Sequence, residues 1–230
     1  MSTRLSYVLT ALCGLLGTAA LVAYYAAPYT FLPLPPDNAT AEQVMDFGTH
    51  YAAVILLDAW LQVVGSLLSV IFAIALVHLA GASRRLAGRL VMLVSGVTLT
   101  LSMVEAMLAI GAVQAGALGQ AQTALVCFDL TTTFIHIFLI APSLFLALGA
   151  AIFGTRILPR GFGSLALALG VVFQVLGVAG LFNSSALPFV IGVLLAQEAW
   201  TVTASVALAA WAMSMRGRTA LTSVEAALAR

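Results

Sequence analysis

Residues 50–80 read HYAAVILLDAWLQVVGSLLSVIFAIALVHLA, an apolar run that holds one carboxylate, Asp58, and no lysine or arginine. A helix needs about 20 residues to cross the hydrocarbon core of a bilayer, and this run exceeds that length. The run lacks the strict alternation of a barrel strand, and lipid offers backbone amides no hydrogen-bond partner outside a helix. It therefore predicts a transmembrane helix with an acid inside it.

Five more runs of the same kind follow or precede this one. They cover 6–27, 90–117, 122–153, 163–182 and 187–213. Apolar residues make up 63% of the 230 residues and charged residues only 7%, so little remains for a soluble domain. We expect an all-α polytopic membrane bundle of six transmembrane helices, with the transmembrane domain at 1–215 and a cytoplasmic segment at 216–230.

The arginines set the expected orientation. All nine basic residues are arginine, and those before the last residue lie at the N-terminus, in the second and fourth connections and after the sixth run. The first connection instead carries acids. Because cytoplasmic loops are rich in arginine and lysine, this pattern places both termini in the cytoplasm. The arginine- and alanine-rich usage favours a bacterial inner membrane, and the net charge of +1 gives no reason to expect nucleic acid as a partner.

An internal repeat relates the first helical hairpin to the last. Residues 16–28 align without gaps with 176–188, and each segment is followed by a helix with an acid, an alanine and a tryptophan, Asp58-Ala59-Trp60 and Glu198-Ala199-Trp200. Asp129 lies 71 residues after Asp58 and 69 before Glu198. This spacing predicts three hairpins in the same orientation, a parallel repeat.

The connection before the second helix contains a helix-start signal. Thr40 and Gln43 stand three residues apart, the spacing of a capping box, in which each side chain satisfies a backbone N–H of the other residue. We expect a helix to begin near Ala41 and to run unbroken to Ala80, with its first turns above the bilayer or along it.

Four carboxylates lie inside the apolar runs and are the candidate catalytic residues. They are Asp58, Glu105, Asp129 and Glu198. An ionisable group at bilayer depth costs at least about 2.5 kcal/mol on insertion scales, so it usually has a function. Counted at 1.5 Å per residue, all four lie roughly 10–15 Å below the outer surface. We expect them to share one outward-opening pocket, with Asp58 and Glu198 as the principal pair because the repeat relates them.

Neighbouring side chains at the same depth are the candidate substrate contacts. They are Gln62, Trp60, His136, Gln174, Trp200 and Phe128. Gln62 follows Asp58 by four positions and so shares its face, and an aromatic face such as that of Phe128 stabilises a cation. No motif with metal-ligand spacing accompanies the acids, so neither a metal nor another cofactor is expected.

Three functional classes fit this pocket. Mutual repulsion and burial oppose ionisation, so some of the acids are expected to hold a proton and to act on a hydrophobic isoprenoid or lipid substrate as acid–base catalysts of the isomerase or cyclase type. A proton- or cation-coupled carrier and a non-catalytic binding or sensor protein are the alternatives. Alternatively, each acid could serve only to hydrogen-bond one helix to another and so stabilise the bundle. Membrane lipids are expected as surroundings, and self-association stays open.

The segment Ile157-Leu-Pro-Arg-Gly-Phe-Gly-Ser-Leu-Ala-Leu-Ala-Leu-Gly170 resembles a loop and helix start in an uncharacterised bacterial family of small multi-helix integral membrane proteins. The hairpin layout of the chain is similar to that family as well. The resemblance implies topology and no activity. In its pocket chemistry alone, the chain resembles small membrane-embedded terpene cyclases and sterol isomerases, which use intramembrane acids.

The orientation can be tested by thiol labelling of intact cells. In a variant lacking Cys13 and Cys127, a cysteine introduced at Asn38 is expected to react with a membrane-impermeant maleimide, because the first connection lies outside. A cysteine at Ser83, among the arginines of the second connection, is expected to react only after the membrane is opened. The opposite labelling pattern would invert the topology.

Overall fold

The computed structural model describes residues 3–36, 38–159, 161–183 and 187–228; the side chains of Thr3, Tyr29, Ile135, His136, Phe138, Ile140, Leu187 and 215–228 are not described. This part of the chain is all-helical and contains no strand. Its helices are α1 (Thr3–Thr30), α2 (Ala41–His50), α3 (Ala52–Leu79), α4 (Leu86–Ala117), α5 (Ala121–Ile140), α6 (Leu144–Ile152), α7 (Gly161–Phe182) and α8 (Leu187–Leu228).

The long helices close into a ring. α1 packs between α8 and α3, α3 packs against α4, and α4 packs against both α5 and α6. α7 contacts α5, α6 and α8 and so completes the circuit. The short helix α2 lies against α4 and α5. The first and last long helices of the chain are thus neighbours, and every long helix has a face toward the centre.

In the part of the chain that the structure describes, five helices are long and apolar enough to cross a membrane by length and composition. These stretches are Arg4–Pro28, Ala52–Leu79, Leu86–Ala117, Gly161–Phe182 and Pro188–Ser214. Large apolar side chains cover their outer faces: Leu93 on α4 is 65% exposed and Val175 on α7 is 64% exposed. An apolar exterior of this extent is typical of helices that face lipid rather than water. The chain therefore has the character of a multi-pass membrane protein.

The expected start of the second helix is confirmed, but its expected continuity is wrong. The backbone N–H of Gln43 donates to Thr40 Oγ1, and the backbone N–H of Thr40 donates to Gln43 Oε1 at 2.9 Å, so the capping box is present. The helix is interrupted at Tyr51, whose φ of −101° and ψ of 16° leave the helical region. α2 and α3 are thus separate helices, and α2 is free to pack against α4 and α5.

The fourth apolar run is divided as well. Instead of one helix over 122–153, α5 ends at Ile140 and α6 begins at Leu144. Pro142 lies between them, and proline removes a backbone donor and blocks the preceding helical turn. Ser143 then caps α6, because its hydroxyl accepts a hydrogen bond from the N–H of Leu146. Gln174 Oε1 on α7 accepts the N–H of Ser143 at 3.1 Å and fixes the break.

The other helices extend beyond the expected ends. α1 begins at Thr3 and continues to Thr30, with Pro28 inside its last turn. α8 continues without interruption to Leu228, past residue 215, where we expected the transmembrane domain to end. The 1–215 and 216–230 division stays a prediction, as do the sixth span and the three-hairpin repeat.

Glycine permits the close approach of α6 to α7. A Cβ added to Gly170 on α7 would overlap the backbone of Leu146 on α6, and one added to Gly149 would overlap that of Leu167. By contrast, a Cβ added to Gly96 on α4 would meet no atom within 4 Å. These two kinds of glycine provide a matched test of the packing.

We expect Gly170→Ala to lower the free energy of unfolding by about 1–3 kcal/mol, because neither backbone at the α6–α7 contact can yield to the added carbon. Gly96→Ala should leave it unchanged or raise it by up to about 1 kcal/mol, since the open site gains helix propensity. Thermal unfolding of both purified variants in the same detergent measures the difference. Equal midpoints for both variants would contradict the packing described.

Candidate functional site

A cavity of about 630 Å³ lies inside the ring. Its lining comes from every helix, beginning at Leu32 and Leu34 in the first connection and reaching Phe72 and Ala73 in the second half of α3. Most of the lining is apolar, and the size falls within the about 300–1,000 Å³ common for small-molecule sites. The lining therefore fits a mainly hydrocarbon ligand.

α3 and α4 present polar residues to this cavity at helical spacing. On α3 the lining includes Asp58, Gln62, Ser66 and Ser69, and on α4 it includes Thr98, Ser102 and Glu105. Intervals of three and four residues keep side chains on one helix face. The hydroxyls of Ser66 and Ser102 lie 2.9 Å apart and join the two helices below the carboxylates.

Glu105 is held on both carboxyl oxygens. The hydroxyl of Tyr24 on α1 donates to Oε1 at 3.0 Å, and Nε2 of Gln62 on α3 donates to Oε2 at 2.6 Å. Glu105 is buried, with 9% exposure. A carboxylate accepts hydrogen bonds only, and donors on both sides favour its ionised form. The two donors thus offset part of the burial that opposes a negative charge on Glu105.

Asp58 has a different environment. Its Oδ1 atom is buried and has no hydrogen-bond partner among the described residues. Of the cavity's carboxylates, Glu105 is the one close enough to act on the charge of Asp58. Two adjacent carboxyl groups share a proton more readily than they both ionise. Because Oδ1 of Asp58 has no donor among the described residues whereas Glu105 has two, Asp58 is the better place for that proton, and its neighbouring acid is Glu105 rather than the expected Glu198.

Glu198 lines another part of the cavity, on α8. Its Oε2 accepts a hydrogen bond of 2.6 Å from the hydroxyl of Thr18 on α1. Tyr25, which follows Thr18 by seven positions, lines the same cavity and lies close enough to feel the charges of both Glu198 and Glu105. Tyr25 therefore lies near both glutamates.

Asp129 does not join the other three acids. It lies on α5 with an exposed side chain and is absent from the cavity lining, so the expectation of a four-acid pocket is wrong at this position. The face of α5 that enters the cavity carries Phe128, Thr131 and Thr132 instead. The rotation of α5 about its axis turns Asp129 away from the cavity. The side chain of His136, expected nearby, lies outside the described residues.

Three other residues that we expected to contact a substrate lie outside the cavity lining. Trp60 is 58% exposed on the outer face of α3, whereas Trp200 is 3% exposed and donates from Nε1 to the carbonyl oxygen of Phe162 at 3.1 Å. Neither tryptophan lines the cavity, so the two acid-Ala-Trp segments are not equivalent. Gln174 supports Ser143 at the helix break and is likewise outside the lining. Gln62 and Phe128 line the cavity as expected.

Sequence reasoning missed the polar face of α1. Tyr24 and Tyr25 look like members of an interfacial aromatic belt, yet both line the cavity, and Thr18 holds Glu198. The sequence signal for this polar face was the seven-residue interval between Thr18 and Tyr25, which places two polar groups on one face of an apolar helix. The rings of Tyr24 and Tyr25 lie 5.3 Å apart at an angle of 54° and form an aromatic pair.

No positive side chain balances the acids in the described lining. Arg84 and Arg85 before α4, Arg89 in its first turn and Arg156 after α6 are not part of it. Within residues 3–36, 38–159, 161–183 and 187–228, no group of three His, Cys, Asp or Glu residues is arranged to hold a metal ion. Cys13 and Cys127 are unpaired and half-buried.

No protein-family model, no curated protein and no solved structure matches this chain. The kinship of 157–170 with an uncharacterised bacterial membrane family stays a prediction. What the protein does must therefore follow from the cavity and its side chains.

The support given to Glu105 can be measured with a matched pair of glutamine variants. Gln62→Leu is expected to lower the free energy of unfolding by about 1–3 kcal/mol, since it leaves a buried carboxylate oxygen without its donor. Gln122→Leu, at an exposed position of α5, should change it by no more than about 0.5 kcal/mol. Unfolding by titrated denaturing detergent gives both values. A loss for Gln62→Leu no greater than that of the control would show that the hydrogen bond contributes nothing to stability.

Proposed function

We propose that the protein is a membrane-embedded acid–base enzyme of the isomerase or cyclase type that acts on a hydrophobic isoprenoid or lipid substrate. The observation that carries the proposal is the asymmetry of Asp58 and Glu105. One acid has a buried oxygen without a partner, and the other accepts hydrogen bonds on both oxygens. Two carboxyl groups in different environments are the usual basis for separate acid and base roles.

The simplest reaction of such a pair is the shift of a carbon–carbon double bond. Asp58 donates its proton to one alkene carbon, the π electrons form the new C–H bond, and the other carbon becomes positive. Glu105 then removes a proton from the carbon next to the cation, and the electrons of that C–H bond form the new double bond. In a cyclase, a second double bond attacks the cation before this proton is lost.

The remaining lining supports the same chemistry. The faces of Tyr24, Tyr25, Phe128 and Phe173 border the cavity, and aromatic faces stabilise a cation. The apolar walls exclude water, which would otherwise capture the cation as an alcohol. Transfer of the proton from Glu105 back to Asp58 restores the enzyme without an oxidant, a reductant or a second substrate.

The membrane topology and the location of the protein belong to the same proposal. We assign six spans in three parallel hairpins, both termini to the cytoplasm, and the protein to a bacterial inner membrane. The arginine distribution supports the orientation. The sixth span would consist of α5 and α6 together, because both helices pack along α4 and along α7. The cavity then opens toward the outer surface beside the first connection, whose Leu32 and Leu34 line it.

A proton- or cation-coupled carrier is the second candidate. The observation that favours it is the helix break at 141–143, which also lines the cavity. Discontinuous helices at a central site are common in carriers, where the free helix ends bind substrate and ions. A carrier would use the same acids but would move its ligand across the membrane unchanged.

Exchange of carbon-bound hydrogen separates these functions. The purified protein in lipid nanodiscs is incubated in D₂O with a membrane lipid extract that contains isoprenoids, and the extract is then read by mass spectrometry. An isomerase or cyclase that works through Asp58 puts solvent deuterium on carbon. Asp58→Asn and Glu105→Gln should each reduce this incorporation by about 10²–10⁴-fold, the usual contribution of general acid–base catalysis.

The matched control is Asp129→Asn, an acid-to-amide change on the same chain outside the cavity. It should retain full incorporation. A protein that binds an isoprenoid but places no deuterium on it is no enzyme of this class. Proton uptake into sealed vesicles on addition of that ligand would then favour the carrier. Full activity of Asp58→Asn would exclude Asp58 as the acid.

A further inference from the structure

The proton transfer assigned to Asp58 and Glu105 makes no use of Glu198. This glutamate lines the cavity on α8, and the hydrogen bond that anchors it goes from Thr18 to Oε2. Within the described part of the chain, Oε1 of Glu198 is left available to a ligand. Glu198 is only half-buried, yet its carboxylate lines a largely apolar cavity, where a charge without an opposite charge is unfavourable.

The described lining offers its carboxylates no positive side chain. If Asp58 holds the proton, a negative charge on Glu105 or Glu198 has nothing to balance it, because no described arginine or histidine lines the cavity. The chain has no lysine to supply one. Tyr25 lies close to both glutamates, and a phenol ordinarily carries no charge at neutral pH. A single positive charge beside Tyr25 would be attracted by both glutamates at once.

The surroundings of this position fit an organic cation better than an inorganic one. The rings of Tyr24 and Tyr25 lie against each other at 5.3 Å, and aromatic faces are common partners of ammonium groups. Beyond them the lining is apolar and includes Phe128, Phe173 and Leu194. Such walls would hold a hydrocarbon body and could not hydrate a small ion.

We propose that the ligand of this cavity is a hydrophobic amine, with one positively charged nitrogen between Glu198 and Glu105 and an apolar body along the remaining lining. The proposal rests on the proposed function in that it takes the Asp58 cavity as the substrate site. It adds the recognition of a cationic head group by Glu198, which the acid–base chemistry does not require. The same arrangement would also bind an amine that resembles the carbocation and inhibits the enzyme.

Two probes with the same chain test this recognition. N,N-dimethylgeranylamine carries a positive charge at neutral pH, and geraniol carries none. Their dissociation constants are measured by native mass spectrometry on the protein in nanodiscs of zwitterionic lipid. The amine is expected to bind about ten- to a hundredfold more tightly than the alcohol, as for a hydrogen bond to a charged group.

Three variants test which residue causes the preference for the amine over geraniol. Glu198→Gln should reduce the affinity for the amine to near that for geraniol and leave geraniol binding unchanged. Asp129→Asn, at an exposed acid outside the cavity, should preserve the preference. Thr18→Val, which removes the anchor but keeps the charge, should weaken amine binding less than Glu198→Gln.

Several outcomes would overturn the proposal. Equal affinities for the two probes in the wild-type protein would show that no cationic head group is recognised, whatever the variants do. A Glu198→Gln variant that loses both ligands equally would make Glu198 a structural residue. If that variant does not accumulate, the comparison of probes on the wild-type protein decides. Deuterium incorporation is measured separately from ligand binding. A preference for the amine without deuterium incorporation would reject the proposed enzymatic function alone. Deuterium incorporation without a preference for the amine would reject the proposed amine ligand alone.

Discussion

The hydrogen bonds to Glu105 are the constraint on which the arrangement of the ring depends. A carboxylate inside an apolar bundle is stable only where protein donors replace water. Tyr24 of α1 and Gln62 of α3 supply those donors to Glu105 of α4. Because both oxygens are engaged, the three helices cannot rotate independently. The rotation that turns Gln62 toward Glu105 also turns Asp58, one helical turn earlier, into the cavity. The proximity of Asp58 to Glu105, on which the proposed acid–base chemistry rests, is therefore a consequence of the way Glu105 is stabilised.

Closure of the ring of helices brings Glu198 to the cavity. α1 packs against α8 at Gly14, where an added Cβ would overlap the Ser205 hydroxyl, and the hydrogen bond from Thr18 to Glu198 lies one turn further along α1. Small residues let helix backbones approach closely in membranes, where apolar burial offers little drive for association. The cavity is thus complete only when the last membrane helix has packed against the first. This brings side chains 180 positions apart in the sequence into contact.

The sequence predicted the parts of this fold that depend on local chemistry. Apolar run length predicted the long helices, and the Thr40–Gln43 pair predicted the start of α2. The interruption at Tyr51 was missed although the chain changes there from a polar helix to an apolar one. The break after Ile140 was missed because the apolar run continues across it. Pro142 was a local signal for the second break. The support of that break by Gln174, however, depends on the packing of α7, which a single segment cannot specify.

Depth and rotation explain which acids were placed correctly. Residue counting gives the depth of an acid in a helix, and it ranked Asp58, Glu105, Asp129 and Glu198 as equals. Rotation about the helix axis is set by packing and by the positions of donors on other helices. Glu105 and Glu198 have such donors. The orientation of Asp58 follows from that of Gln62, which lies one turn away on the same helix and binds Glu105. Around Asp129, Thr132 and Thr133 donate to its backbone carbonyl oxygen rather than to its carboxylate. Among the described residues, no side chain donates a hydrogen bond to the Asp129 carboxylate, and this side chain is exposed on α5.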